Sequence, residues 1–307
     1  MNPAFSVVIF TTIAGAAQGL VVTLALAALA GMPVAPGFAS LALIVAEAML
    51  LIGLGASFGH LGRPERAWRA VLMWRTSWLS REVIVLPTFI GVVALWWLAL
   101  RNGIQTPLLP LAAILVAALL WYCTAMIYAC LRFIQEWAQP LTIVNFTLIG
   151  LSSGLVLVSA LGALMGEQAL LQVTGPCALV VTLVAWATRT LALRRNAALK
   201  PRSTLQSATG IQAPKLVQKS MGMSAGSFNT REFFHGASRA ALKQVKLAFI
   251  VLAFALPALL LVWAIAASST LAFVLAFALQ VPGLVAERWF FFAQARHPQN
   301  LYYQVVS

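Results

Sequence analysis

At 307 residues, 62 % of them hydrophobic and only 9 % charged, with a mean hydropathy of +0.92, the chain is not an ordinary soluble domain, which carries about 25 % charged residues. Nor is it a disordered chain, which needs low hydrophobicity and high charge. The net charge of +13 from 20 basic residues against seven Glu and no Asp would point to nucleic acid in a soluble protein. Here no nucleic-acid-binding module accompanies it. In a chain of long apolar runs, the charge reads instead as basic loops on one side of a membrane.

The apolar stretches predict an all-α integral membrane protein, a bundle of eight transmembrane helices over 5–30, 38–59, 83–100, 107–130, 141–164, 169–192, 247–267 and 270–287. Each is near the roughly 20 residues that cross a hydrocarbon core. No charged side chain precedes Glu47, so the basic region of a secretory signal is missing and the first stretch is expected to remain as a helix. Met32–Gly37, with two prolines and a glycine, breaks the first pair. Leu247–Ala286 carries no charge and would be about 60 Å long as one helix. It must fold back, and Ser268-Ser269-Thr270 is the expected turn.

Eight crossings put both termini on one side, together with 60–82, 131–140 and 193–246. Every basic residue except Arg101 falls on that side, which the positive-inside rule makes cytoplasmic. The chain is thus expected to form a single transmembrane domain, 1–307, in a bacterial inner membrane. Segments 60–82 and 193–246 are its two long cytoplasmic docking loops, folded against the bundle or a partner.

The first loop mixes Arg63, Arg66, Arg69, Arg75 and Arg81 with Trp68, Trp74 and Trp78. Pro64 followed by Glu65 predicts a short helix in the headgroup region. Ser80 is the expected cap of the third crossing, with Glu82 in its first turn. In the second loop, Asn229 with Glu232 three residues on resembles a capping box, opening a helix toward the seventh crossing.

Few residues can carry chemistry. Cys123, Cys130 and Cys177 lie in apolar runs without metal-ligand spacing, so no metal site is expected. The three histidines, His60, His235 and His297, sit at the ends of crossings or beyond them, and no haem held between helices is expected. His60 has two readings: an interfacial cap on the second crossing, or a group exchanging protons with a bound redox ligand. Glu47, about 20 Å deeper on the same helix, is either a protonated interhelical partner or part of a proton path. Arg81 and Glu82 each have an ordinary interfacial reading. Gly55-x-x-x-Gly59, Gly150-x-x-x-Gly154 and Gly162-x-x-x-Gly166 read as helix-packing motifs. No phosphate loop, zinc-protease motif or nucleophile elbow is present.

Three features together resemble the membrane-anchor subunits of the dimethyl sulfoxide reductase family. They are the eight crossings, the run His60-Leu61-Gly62-x-Pro64-x-Arg66-Ala67 closed by Leu79-Ser80-Arg81-Glu82, and Ser227-Phe228-Asn229-Thr230-Arg231-Glu232-Phe233-Phe234-His235-Gly236. The resemblance implies a haem-free anchor that binds quinone (ubiquinone or menaquinone) near the face docking a ferredoxin-like [4Fe–4S] subunit. That subunit is joined in turn to a molybdopterin catalytic subunit. It implies quinone contacts from His60, Gly62, Arg66, Arg81 and Glu82, with His60, Arg66 and Glu82 in the chemistry. It places partner docking on Arg63, Arg69, Arg75, Arg231, Phe233, Phe234 and His235. Docking loops on the cytoplasmic side are similar to the sulfite-oxidising branch of the family. An anchor for another molybdenum enzyme, a passive anchor and a secondary transporter are the alternatives. A transporter would need broken helices, midplane polar groups and often a repeat, of which only Glu47 is evident.

Overall fold

The computed structural model describes residues 1–59, 61, 63–220 and 232–302. Among them the chain is helical, without strands, and eight helices are long and apolar enough to cross a membrane. They are α1 (Phe5–Leu29), α2 (Pro36–Phe58), α3 (Trp78–Arg101), α4 (Leu108–Ala129), α5 (Pro140–Met165), α6 (Gln168–Ala197), α7 (Arg239–Ala267) and α8 (Thr270–Ala293).

The helix ends follow local chemistry. Gly31, at φ +66°, takes the left-handed conformation past the end of α1, and Pro36 opens α2 at a position where its missing N–H costs nothing. Ser268, at φ +49°, makes the tight reversal into α8, and the Ser269 hydroxyl accepts from the Ala272 N–H at 3.3 Å. Where apolar runs understate the helices, polar residues continue them: α6 runs five residues beyond the expected end, α7 starts eight residues early and α8 ends six residues late. The loops are correspondingly shorter than expected. The first contains a 3₁₀ helix, Pro64–Met73, with Pro64 at its start and no buried residue. The cap of α3 is Ser77 rather than Ser80: its hydroxyl accepts from the Ser80 N–H at 3.3 Å, which moves Glu82 into the second turn. Asn229 lies outside the described residues. Glu232 does not open a continuous helix, since residues 234–238 are irregular and Ser238 caps α7.

Helices α1–α4 form one antiparallel bundle, with each helix packed on the next and α4 returning to α1. Helices α5–α8 repeat the same neighbour pattern. The sequence shows no evident repeat, yet the architecture has one. The two bundles meet through α1 and α5, the most enclosed helices, flanked by α1–α8 and α4–α5 contacts. At the meeting line, a side chain on Gly19 would come within 2.9 Å of the Gly150 carbonyl carbon and 3.0 Å of the Gly154 Cα. Gly150-x-x-x-Gly154 is therefore a packing motif, and its mate is Gly15-x-x-x-Gly19, which the sequence reading overlooked. The other two motifs do different work. Gly55 has nothing within 4 Å, and Gly166, at φ +76°, ends α5. In lipid, where no hydrophobic force draws helices together, such close backbone approach is what binds them.

Polar side chains stitch the second bundle. Asn145, Ser152 and Ser159, seven residues apart on α5, meet Thr188, Thr182 and Thr174 of α6 at 2.9, 2.7 and 3.1 Å. Within α7, Ile250–Ala255 is a π-helical turn, and the Gln280 amide donates to the Ala253 carbonyl at 3.4 Å. Gly283 lets α8 approach this turn: a Cβ there would lie 2.7 Å from the Ala253 Cα.

Candidate functional site

The ends of α2, α3, α6 and α8 gather the loop-side polar residues. His60, Gly62 and Arg231 lie outside the described residues, so the structure neither brings His60 to Glu82 nor separates them. Arg63, Arg66, Arg69 and Arg75 are exposed on or beside the 3₁₀ helix. Arg69 and Arg75 each sit 5.5 Å from the ring of the preceding tryptophan, a cation–π contact that holds the charge at the surface.

Arg81 and Glu82 are adjacent in sequence but turn apart. The Arg81 guanidinium folds back onto the loop, donating to the Trp74 and Arg75 carbonyls at 2.9 and 2.8 Å and lying 4.0 Å over Trp78. It therefore braces the loop. Glu82 points the other way, into the bundle, and is 5 % exposed. Its carboxylate accepts a hydrogen bond from the Thr124 hydroxyl of α4. An exposed first-turn carboxylate would merely offset the helix dipole, but burial on the α3–α4 side calls for a partner, and Thr124 supplies it. Glu82 thus meets α4. The cleft that does lie between α2 and α3 is Glu47's. It is an apolar, half-open space of about 380 Å³ bordered by Leu43, Ile44, Leu51, Val93 and Trp97, well away from the loop. Within it the Glu47 Oε2 has no hydrogen-bond partner.

Of the residues expected to dock a partner in the second loop, Phe233, Phe234 and His235 are half-buried. Phe233 stacks on His297 with ring centres 3.8 Å apart, and the Asn300 side-chain amide donates to the Phe233 carbonyl at 3.2 Å. His235 faces Trp289 at 6.3 Å. Burial holds both His235 and His297 below the ordinary imidazole range, the Met1 amine adding a smaller push in the same direction. Each also uses Nδ1 as an acceptor, from the Ala237 N–H at 3.0 Å and the Gln299 N–H at 3.2 Å, which only the neutral tautomer allows.

A buried ionic group lies apart from the residues expected to act. Arg189 of α6 pairs with Glu287 of α8 at 2.6 Å, and Arg288 lies 3.8 Å from the other Glu287 oxygen, with all three side chains at most 5 % exposed. The Arg288 guanidinium rests 3.8 Å over Phe146. The signal was an acid and a base adjacent at the end of the last apolar run, opposite a base near the end of the sixth. Among the described residues no three His, Cys, Asp or Glu side chains gather as a metal site.

A family model described as DMSO reductase anchor subunit (DmsC) matches residues 1–294. The chain is also 48 % identical to a sulfite dehydrogenase subunit of Allochromatium vinosum, over an alignment of 326 residues that covers 100 % of both chains. Eight apolar helices, a polar loop-side end, a family match over residues 1–294 and a relative aligned over the whole chain together make this chain a member of the DMSO reductase membrane-anchor family.

Proposed function

We propose that the chain is the haem-free, quinone-reactive anchor of a molybdopterin and iron–sulfur oxidoreductase, and that its complex oxidises sulfite. The similarity to a sulfite dehydrogenase subunit supports the substrate. The loop-side concentration of basic residues supports a docking face in the cytoplasm of a bacterium. Its partners there are a ferredoxin-like [4Fe–4S] subunit and the molybdopterin subunit.

The observation that carries the quinone reading is Glu82, a buried acid in the second turn of α3, next to a loop of arginines. A quinone ring needs a proton donor and acceptor at its oxygens and an apolar wall, and this end of the chain offers those groups. The Trp78–Tyr122 pair, edge to face at 5.3 Å, supplies aromatic surface between α3 and α4 at this end. A quinone bound there supplies two-electron, two-proton redox chemistry, with electrons drawn from the iron–sulfur partner. His60 would hydrogen-bond one carbonyl oxygen and supply a proton there, while Arg66 would stabilise negative charge on that oxygen. Glu82 restores the proton to His60 or fixes its tautomer, and Thr124 keeps the carboxylate in place. Arg81 holds the loop over the site.

Replacement of His60 by Ala in the assembled complex should abolish sulfite-to-quinone turnover while leaving dye-coupled sulfite oxidation intact. Loss of both activities, or of neither, refutes the assignment.

A further inference from the structure

Between the two bundles, on the loop side of the glycine line, lies a small, partly open cavity bordered by α1, α4, α5 and α8. Its volume is about 20 Å³, and about 10–15 Å³ suffices for one water. Four of its lining residues each carry a buried polar atom without a hydrogen-bond partner: Thr12 Oγ1, Gln18 Oε1, Trp121 Nε1 and Arg288 Nε. Gln18, Trp121 and Arg288 are 3, 5 and 4 % exposed. Unpaired groups at such depth are costly. Two of the four are obligate N–H donors, Gln18 Oε1 is an acceptor, and the Thr12 hydroxyl oxygen can accept. A single water can take one hydrogen bond from each N–H and give two to lining oxygens, one to Thr124 Oγ1, whose own proton is on Glu82, and the other to Gln18 Oε1 or Thr12 Oγ1. The glycine at 150 makes room for the indole, since a Cβ there would sit 2.6 Å from Trp121 Nε1.

The cavity also borders Thr124, the residue that holds Glu82. On its far side Arg288 leads to Glu287 and Arg189. Among these side chains there are two guanidinium cations and two carboxyls, Glu287 and Glu82. The groups around Glu82 are Arg81 on its own helix, Cys123 and Tyr128 with Thr124 on α4, and Arg288 across the cavity. We propose that this cavity is a binding site for one internal water, which with Thr124 ties Glu82 to Arg288, so that a charge in the second bundle positions the acid of the quinone site in the first. Thr124 and Arg288 are thus positioning residues. The proposal rests on the quinone reading of Glu82.

The test uses the purified complex in detergent with wild type, Thr124→Val, Trp121→Phe, Arg288→Met and His60→Ala. Radiolytic hydroxyl-radical footprinting reports ordered internal water by oxidation of the side chains that touch it. Trp121 should be oxidised on exposure despite its burial, and less so in Thr124→Val and Arg288→Met. Quinone-coupled kcat should fall about 10-fold in Thr124→Val, the effect of losing one hydrogen bond to a charged group. It should fall several-fold in Trp121→Phe, which removes one of the two N–H donors. Quinone KM and dye-coupled turnover should stay unchanged in both. An unoxidised Trp121 in wild type, or unchanged kcat in both variants while His60→Ala is inactive, overturns the proposal. If His60→Ala also keeps full quinone turnover, the quinone reading itself has failed.

Discussion

Replacing Glu287 with Gln tests the buried ionic group most directly. The carboxylate lies 2.6 Å from the Arg189 Nε and 3.8 Å from the Arg288 Nε, with all three side chains at most 5 % exposed. Glutamine keeps the shape and removes the charge, leaving two guanidinium ions in a low-dielectric interior. Arg288 retains Phe146 beneath it at 3.8 Å, a contact worth about 2 kcal/mol when desolvated. Arg189 has only the Phe249 ring at 5.7 Å, near the outer limit of such contacts. Breaking a buried pair on one side costs about 3–5 kcal/mol. At about 2–4 °C per kcal/mol for chains of 150–250 residues, the melting temperature of the complex in detergent should fall by about 6 °C or more. The double variant Arg189→Gln/Glu287→Gln should recover most of that loss, because no orphaned charge remains on α6. A melting temperature within about 1 °C of wild type for the single variant would refute the argument. So would a double variant no more stable than the single one.

Two further outcomes follow from geometry given above. Gly19→Ala should destabilise the protein by about 1–3 kcal/mol through overpacking, whereas Gly55→Ala, with nothing within 4 Å of the new methyl group, should leave the melting temperature unchanged or slightly raised; equal effects at the two positions would contradict the seam. Segment 232–238 should loosen from the end of α8 as the solution is acidified. His235 and His297 have folded pKa values below their ordinary 6.5, so the docked state binds fewer protons than the opened one. Its stability is present above about pH 6.5 and is lost as pH falls below that value. Hydrogen exchange of 232–238, corrected for intrinsic rates, should show less protection at about pH 5.5 than at about pH 7.5, and equal protection would count against the neutral-tautomer contacts.

The eight crossings were legible because lipid demands long unbroken apolar runs, and because Pro36 and Ser268-Ser269 are strong breakers at the points where the chain turns. The helix ends were less so. Arg194, Arg195 and Arg288 continue helices that the apolar pattern had already ended. A charge in the last turns of a crossing looks the same in sequence whether it reaches water or a partner helix. Its depth depends on which face meets a neighbour, and that is a property of assembly. For the same reason Glu82 read as an ordinary helix-start carboxylate until Ser77 proved to be the cap and Thr124 its partner. Gly15 and Gly19 were in plain view, but a small-residue pair acquires meaning only opposite another, here 150 and 154.

The contact between Gly19 and Gly150 has a mechanical corollary. Where two halves of a protein touch through side chains, those chains can swing to new rotamers and let one half pivot on the other. Here main chain rests on main chain, with no room for a methyl group and nothing to re-aim. A carrier that alternated its opening between the two membrane faces would have to prise this joint apart in every cycle. A stiff chassis suits the opposite task, because electron tunnelling weakens steeply with distance and a docking face fixed to its redox site keeps that distance constant.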